Sequence, residues 1–277
     1  MPTATFSAQK TFYRHLIGNP AVDPAGTTWN DGTLELQYLN QAYERSAAAY
    51  DWPDLHLKSA IVVRANDNRY SLPANFRKFD FVYLQNVLCH EADLQALYAS
   101  QNKYAVDANA DDIVFSTIPG TASTAFTMSN DEGTGNAVVI ELDTISGLAV
   151  GDKIWINGTT TPEFTIVTAT SSANTTITAR LKQDPAASDI LYRVDELVYF
   201  AYWRNITAFT GSGTENSLLP DATDLIVPYY AAYLYHKNLE NEQKAQTFLT
   251  AWQEQLAEAW RSQGKTSSGA ANEMSVW

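Results

Sequence analysis

From Thr33 onward, apolar residues return every three or four positions: Leu36, Leu39, Tyr43, Ala47 and Tyr50. That period belongs to a helix with one buried face. Asp31 and Glu35 put negative charge where the positive end of a helix dipole favours it. At the other end, Pro53 cannot continue a helix and pushes Trp52 out of helical geometry. The spacing therefore predicts an amphipathic helix closing near Tyr50, inside the stretch YDWPDL (50–55). Trp52 is then expected to pack the following chain onto a helical core, a structural role shared with Tyr50 and Pro53.

A second helical pattern lies near the other end of the chain. LLPDATDLIVPYYAAYLYHKNLE offers Asp221 or Asp224 as an N-cap, and Pro228 is tolerated if it falls in the first turn. Beyond Asn241, the residues Ala245, Phe248, Leu249, Trp252, Leu256, Ala259 and Trp260 form one long apolar stripe opposite charged positions. Two tightly joined helices make an antiparallel pair that can share a core with the first helix. The tyrosines 229, 230, 233 and 235, and Tyr199, Phe200, Tyr202 and Trp203 before them, are assigned by their helical spacing to core or subunit packing.

Between these regions the period shortens. YSLPANF (70–76) and FDFVYLQNVL (79–88) are aromatic and β-branched runs that suit short strands, and HEADLQALYASQ (90–101) suits a short helix with Leu94, Leu97 and Tyr98 inward. Over 107–189 the chain fills with Thr, Ser, Gly, Asn and Val. Strand-like pieces recur there as AVVIEL, DKIWING, EFTIVTA and TTITARL, separated by turn residues at Gly133 to Asn136, Ser146-Gly147, Asn157-Gly158 and Ser171 to Asn174. The expected fold class is α+β. A helical host domain of antiparallel helices (32–106 and 190–262) carries an inserted small antiparallel β-barrel or sandwich (107–189). Residues 1–31, rich in Pro and Gly, read as an N-terminal arm, and 263–277 as a flexible tail whose apolar tip, Met274, Val276 and Trp277, suits docking on a partner.

Composition narrows the function. With 45% hydrophobic and 18% charged positions among 277 residues, the chain can bury a sizeable core. No run approaches the roughly 18 uncharged apolar residues of a membrane helix, and residues 1–18 lack a secretory h-region, so a soluble, cytoplasm-assembled chain with no membrane partner is expected. The single cysteine, Cys89, excludes an internal disulfide. A net charge of −13 and a pI near 4.6 have the wrong sign for gripping phosphates.

Candidate chemistry is sparse. His15, His56, His90 and His236 are scattered, without an HExxH or CxxC pair, and His90 beside Cys89 is expected to point away from it. DANADD (107–112) imitates the opening of a calcium loop but has Asp112 where glycine is needed and Ile118 where a bidentate glutamate is needed. GTGNA (133–137) and GSGTE (211–215) lack phosphate-binding continuations and read as loops. The Asn-x-Thr sequons at Asn157, Asn174 and Asn205 reflect Thr-rich turns. No catalytic, cofactor-binding or metal residues emerge, and the chain is not expected to be an enzyme.

Taken in order, LQYLNQAYERSAAAYDWPDL, YSLPANF, a β-rich middle and VPYYAAYLYHKNLENEQKAQTFLTAWQEQLAEAW resemble the head-to-tail adaptor, or connector, proteins of short-tailed bacteriophages over about residues 33–105 and 190–262. Residues 1–31 and the β-rich middle depart from that pattern. The resemblance implies a structural virion protein of the neck: a homo-oligomeric ring, usually a dodecamer, below the portal protein and above tail nozzle or fibre proteins. Genomic DNA would pass through without tight binding. It also implies that the C-terminal segment, with Met274, Val276 and Trp277, reaches the portal, while Trp252 and Trp260 serve structure. An acidic channel wall would let phosphate slide. The alternative is a virion accessory protein whose β-domain binds a glycan or host surface.

Overall fold

The computed structural model describes residues 5–18, 32–129, 133–144, 147–158, 162–171, 175–212, 214–219 and 226–274. The chain divides into two compact units, one of residues 1–56 with 203–277 and the other of residues 57–202.

The first unit is helical. Its elements are α1 (Phe6–Leu16), α2 (Gly32–Ala49), α3 (Ile226–Asn238) and α4 (Glu242–Met274). Pro228 is the third residue of α3, where its missing N–H leaves no helical bond unmade. The α3–α4 elbow closes through Glu240 in left-handed geometry (φ 56°), a 2.9 Å bond from Asn241 N–H to the His236 carbonyl, and capping of Lys244 N–H by Asn241 Oδ1 at 3.2 Å. One core joins both ends of the chain: Leu39, Tyr43 and Trp52 meet Phe209, Ile226, Ala231, Trp252, Leu256 and Ala259, with Phe6 and Tyr13 of α1.

The second unit is built of strands. A seven-stranded sheet runs β1-β13-β3-β4-β5-β6-β2, from β1 (His56–Ile61), β2 (Arg69–Ser71), β3 (Phe76–Leu84), β4 (Val87–Glu91), β5 (Lys103–Asp107), β6 (Asp112–Phe115) and β13 (Val198–Arg204). β4 and β5 pair parallel at His90 and Lys103, whereas β3 and β4 form a hairpin whose two turn residues, Gln85 and Asn86, have φ of 46° and 65°. That is the left-handed pair a tight two-residue hairpin turn requires. A six-stranded antiparallel sheet runs β7-β12-β9-β10-β11-β8, from β7 (Ala125–Thr127), β8 (Gly135–Glu141), β9 (Lys153–Asn157), β10 (Glu163–Thr170), β11 (Thr176–Leu181) and β12 (Ile190–Arg193). Its edge strands curl towards each other and meet at a Met128–Leu142 bridge, flanked by Ser129 N–H to Glu141 O (2.9 Å) and Asp143 N–H to Thr127 O (3.0 Å). Alternate residues such as Ile140, Ile154, Ile156, Val167, Ile177 and Leu191 fill this sheet's own core.

The mixed α+β class therefore holds, with helices and two curled sheets, but several expected assignments differ. The units part at His56/Leu57 and Tyr202/Trp203, not at 106/107 and 189/190. Residues 57–106 and 190–202 join the strands because β13 inserts between β1 and β3, a pairing between residues far apart in the chain. The aromatics 199–203 are consequently strand residues, with Val198, Phe200 and Tyr202 facing the sheet's core. The stretch 90–101 forms only a short 3-10 turn at Leu97–Ala99; Leu97 is buried, but Leu94 and Tyr98 are exposed. Gly135 and Asn136, expected in a turn, begin β8. The 1–31 arm contains α1, capped by Thr5, whose side chain accepts from Ala8 N–H at 3.2 Å. The 263–277 tail continues α4 as helical backbone to Met274. Asp31, Asp221, Asp224, Asn174, Val276 and Trp277 lie outside the described residues.

Candidate functional site

The sequence's chemical candidates are dispersed by the fold. Cys89 and His90 sit on opposite faces of β4, Cys89 buried and His90 exposed, and burial pushes the Cys89 thiol further from its reactive thiolate form. Asp107 and Asp112 flank the β5–β6 hairpin turn, where both accept from Arg69, at 2.9 and 3.3 Å. That bond is the main reason the Asp107 carboxyl is held below its ordinary range. In the 211–215 loop, the Glu215 carboxylate accepts from Thr210 Oγ1 and from the backbone N–H groups of Thr210, Gly211 and Ser212, and is likewise held low. Glu163 accepts from Lys182 and Gln183 N–H beside a small, partly open cavity of about 10 Å3. Asp107, Glu163 and Glu215 each organise backbone, and Asp112 pairs with the Arg69 side chain. Among the described residues, no group of three or more His, Cys, Asp or Glu is placed to hold a metal ion.

What the helical unit does concentrate is aromatic side chains drawn from both ends of the chain. Tyr50 follows α2, and Pro53 to Leu55 form a 3-10 turn, so the chain bends back and Trp52 is fully buried (0% exposed). Trp260 of α4 stacks flat on Tyr50, centroids 4.8 Å apart at 7°, and meets Trp52 edge-on at 5.8 Å. Ser46 is the polar hub below them. Its carbonyl accepts Trp52 Nε1–H at 2.9 Å, and its hydroxyl accepts Trp252 Nε1–H at 3.1 Å while donating to Ala42 O. Trp252 packs on Tyr230 of α3 at 4.8 Å. Trp260 remains 38% exposed, and Met274 ends the helical backbone of α4 fourteen residues further along. A shallow concavity of about 330 Å3 between α2 and α3 is lined by Gln41, Glu44, Arg45, Tyr230 and Leu234.

One feature escapes sequence reasoning. Glu35, expected to serve only the α2 dipole, is 6% exposed and accepts a two-pronged bond from Arg14 of α1 (2.7 and 2.9 Å), with Lys10 at 3.0 Å. It also raises the Tyr13 hydroxyl, second to burial. The Phe6, Gln9, Tyr13 spacing behind a Thr N-cap was the available signal for α1, and all three residues are buried.

No family model matches the chain, and no curated protein matches it. No helix among the described residues is long and apolar enough to cross a membrane.

Proposed function

We propose that this chain is a structural virion protein, a ring-forming head-to-tail adaptor that joins the portal vertex to the tail and forms part of the DNA channel. The observation that carries this reading is the convergence of Tyr50, Trp52 and Trp260 in one aromatic cluster. Of the two segments whose resemblance to adaptors is read from the sequence, residues 33–56 and 203–262 belong to a single helical unit, and the β-rich chain between them leaves it and returns. The continuation of α4 to Met274 supports portal docking by the C-terminal segment. The net charge of −13 is the sign a non-retentive DNA channel requires. Partners are then further copies of the chain, the portal protein and tail proteins, in the neck of the virion. Electron microscopy of the purified protein tests the reading: rings with a central hole are expected. A chain that stays monomeric at high concentration and does not assemble with portal rings overturns it.

A further inference from the structure

His236 is the buried titratable group that the packing leaves least satisfied. It sits in the last turn of α3, 5% exposed, directly before the elbow into α4. Its ring lies flat on Phe248 of α4 (5.3 Å, 4°) and against the edge of Tyr235 (5.1 Å, 76°), and its Nδ1 is buried with no hydrogen-bond partner. A neutral imidazole tolerates this position, because one ring nitrogen can remain a bare lone pair. A protonated ring does not: both nitrogens become donors, and Nδ1–H then points a charge into aromatic surroundings without an acceptor.

The groups around it add to that penalty. From α4 the charge acting on the ring is Lys244, of the same sign, and from α3 the neighbouring titratable groups are the neutral Tyr235 hydroxyl and the exposed Lys237. No carboxylate of α1 or α2 among the described residues contributes to its titration. The negative end of α3 favours a charged ring, but a helix terminus is a weaker influence than the burial of an unpaired charge. Desolvation accordingly dominates and holds the imidazole below its ordinary value.

From this geometry we infer that His236 is an acid-sensitive latch on the α3–α4 elbow, closed when neutral and opened when the ring takes up a proton. The unfolded or opened chain binds the proton more readily than the closed one. The latch is therefore intact above the ordinary histidine pKa of about 6.5 and is lost as pH falls from there through the lower folded-state value. Within that window the ratio of open to closed forms rises by up to about tenfold per pH unit. The amides that report opening are Leu239, Asn241 and Ala245, which donate to the carbonyls of Tyr235, His236 and Asn241.

The test compares wild type with His236→Phe in the full chain, by urea unfolding from pH 8 to 5 and by hydrogen exchange corrected for intrinsic rates. His15 and His90 are exposed and His56 is half-buried; all three are common to both proteins and cancel in the difference. Wild type should lose stability below pH 6.5 relative to His236→Phe, with the three elbow amides exchanging faster as the pH falls. Equal pH dependence in the two proteins overturns the latch. Should the variant fold poorly, NMR titration of the wild-type His236 ring decides alone: a value clearly below 6.5 supports the latch, and one at or above 6.5 refutes it.

Discussion

The helical unit and the β unit solve the same burial problem in opposite ways. The core of the curled six-stranded sheet draws every residue from Phe126 to Leu191, one continuous stretch of chain. The helical core draws from Phe6 to Ala259: α1 and α2 from one end of the chain both pack on α3 from the other, which packs in turn on α4. Local cores tolerate the loss of distant sequence, whereas cores assembled from both termini do not. The chain thus has one unit assembled from both of its ends and a more self-contained one in its middle.

The sharpest way to break this comparison is to end the chain after Arg204. Without α3 and α4, α1 and α2 should lose their helical circular dichroism, while the near-ultraviolet signal of Trp155, buried among Ala60, Tyr192 and Leu197, persists. Simultaneous loss of both signals would show that the units are not separable in this way. Next in size, Trp52→Ala removes the most buried large side chain of the helical core and should cost about 3–5 kcal/mol in urea unfolding. Trp52→Phe keeps a ring but not the bond to the Ser46 carbonyl and should cost distinctly less, with about 1 kcal/mol belonging to that hydrogen bond.

Glu35→Ala should come third, at about 2 kcal/mol, less than a fully buried pair because Arg14 and Lys10 keep 22% and 31% of their side-chain surface in solvent. Its signature is selective: faster exchange in α1, unchanged exchange in β8–β11. The smallest effect belongs to Arg69→Ala in the β unit. Its stability change should be hard to detect, but NMR titration of Asp107 should show its carboxyl moving back up towards the ordinary range, because Arg69 is the main cause of the depression. An unmoved Asp107 would assign the depression to the backbone N–H groups of Asn109 and Ala110 instead.

Much of the local structure was legible in the residues. YDWPDL marked the end of α2 because proline chemistry acts over two or three positions, and the apolar stripe from Ala245 to Trp260 announced α4 because a 3.6-residue period needs no partner to be visible. Strands β8 to β11 were readable from alternation and turn residues for the same reason. The hairpin inside FDFVYLQNVL was less plain: Gln85-Asn86 is not a Gly-containing turn, so the run reads as one strand until left-handed backbone at both residues divides it. HEADLQALYASQ has helical spacing at Leu94, Leu97 and Tyr98, yet only Leu97 finds a core, with Ala105 and Val114.

By itself, then, the sequence determined the α+β class, the helix ending near Tyr50, the apolar stripe of α4 and the positions of β3, β4 and β8 to β11, since these depend on interactions within a few residues. Only the tertiary structure decided where the units divide. Strand membership of 57–106 and 190–202 is a matter of which backbone pairs with which, and β13 finds its neighbours β1 and β3 more than 100 residues away. It also decided the chemistry of single groups. Glu35 became a buried ion-pair acceptor because α1 packs its Arg14 against it, and His236 a buried imidazole with an unpartnered Nδ1 because α4 folds back over the end of α3; burial is a property of the folded assembly that no short window of residues contains.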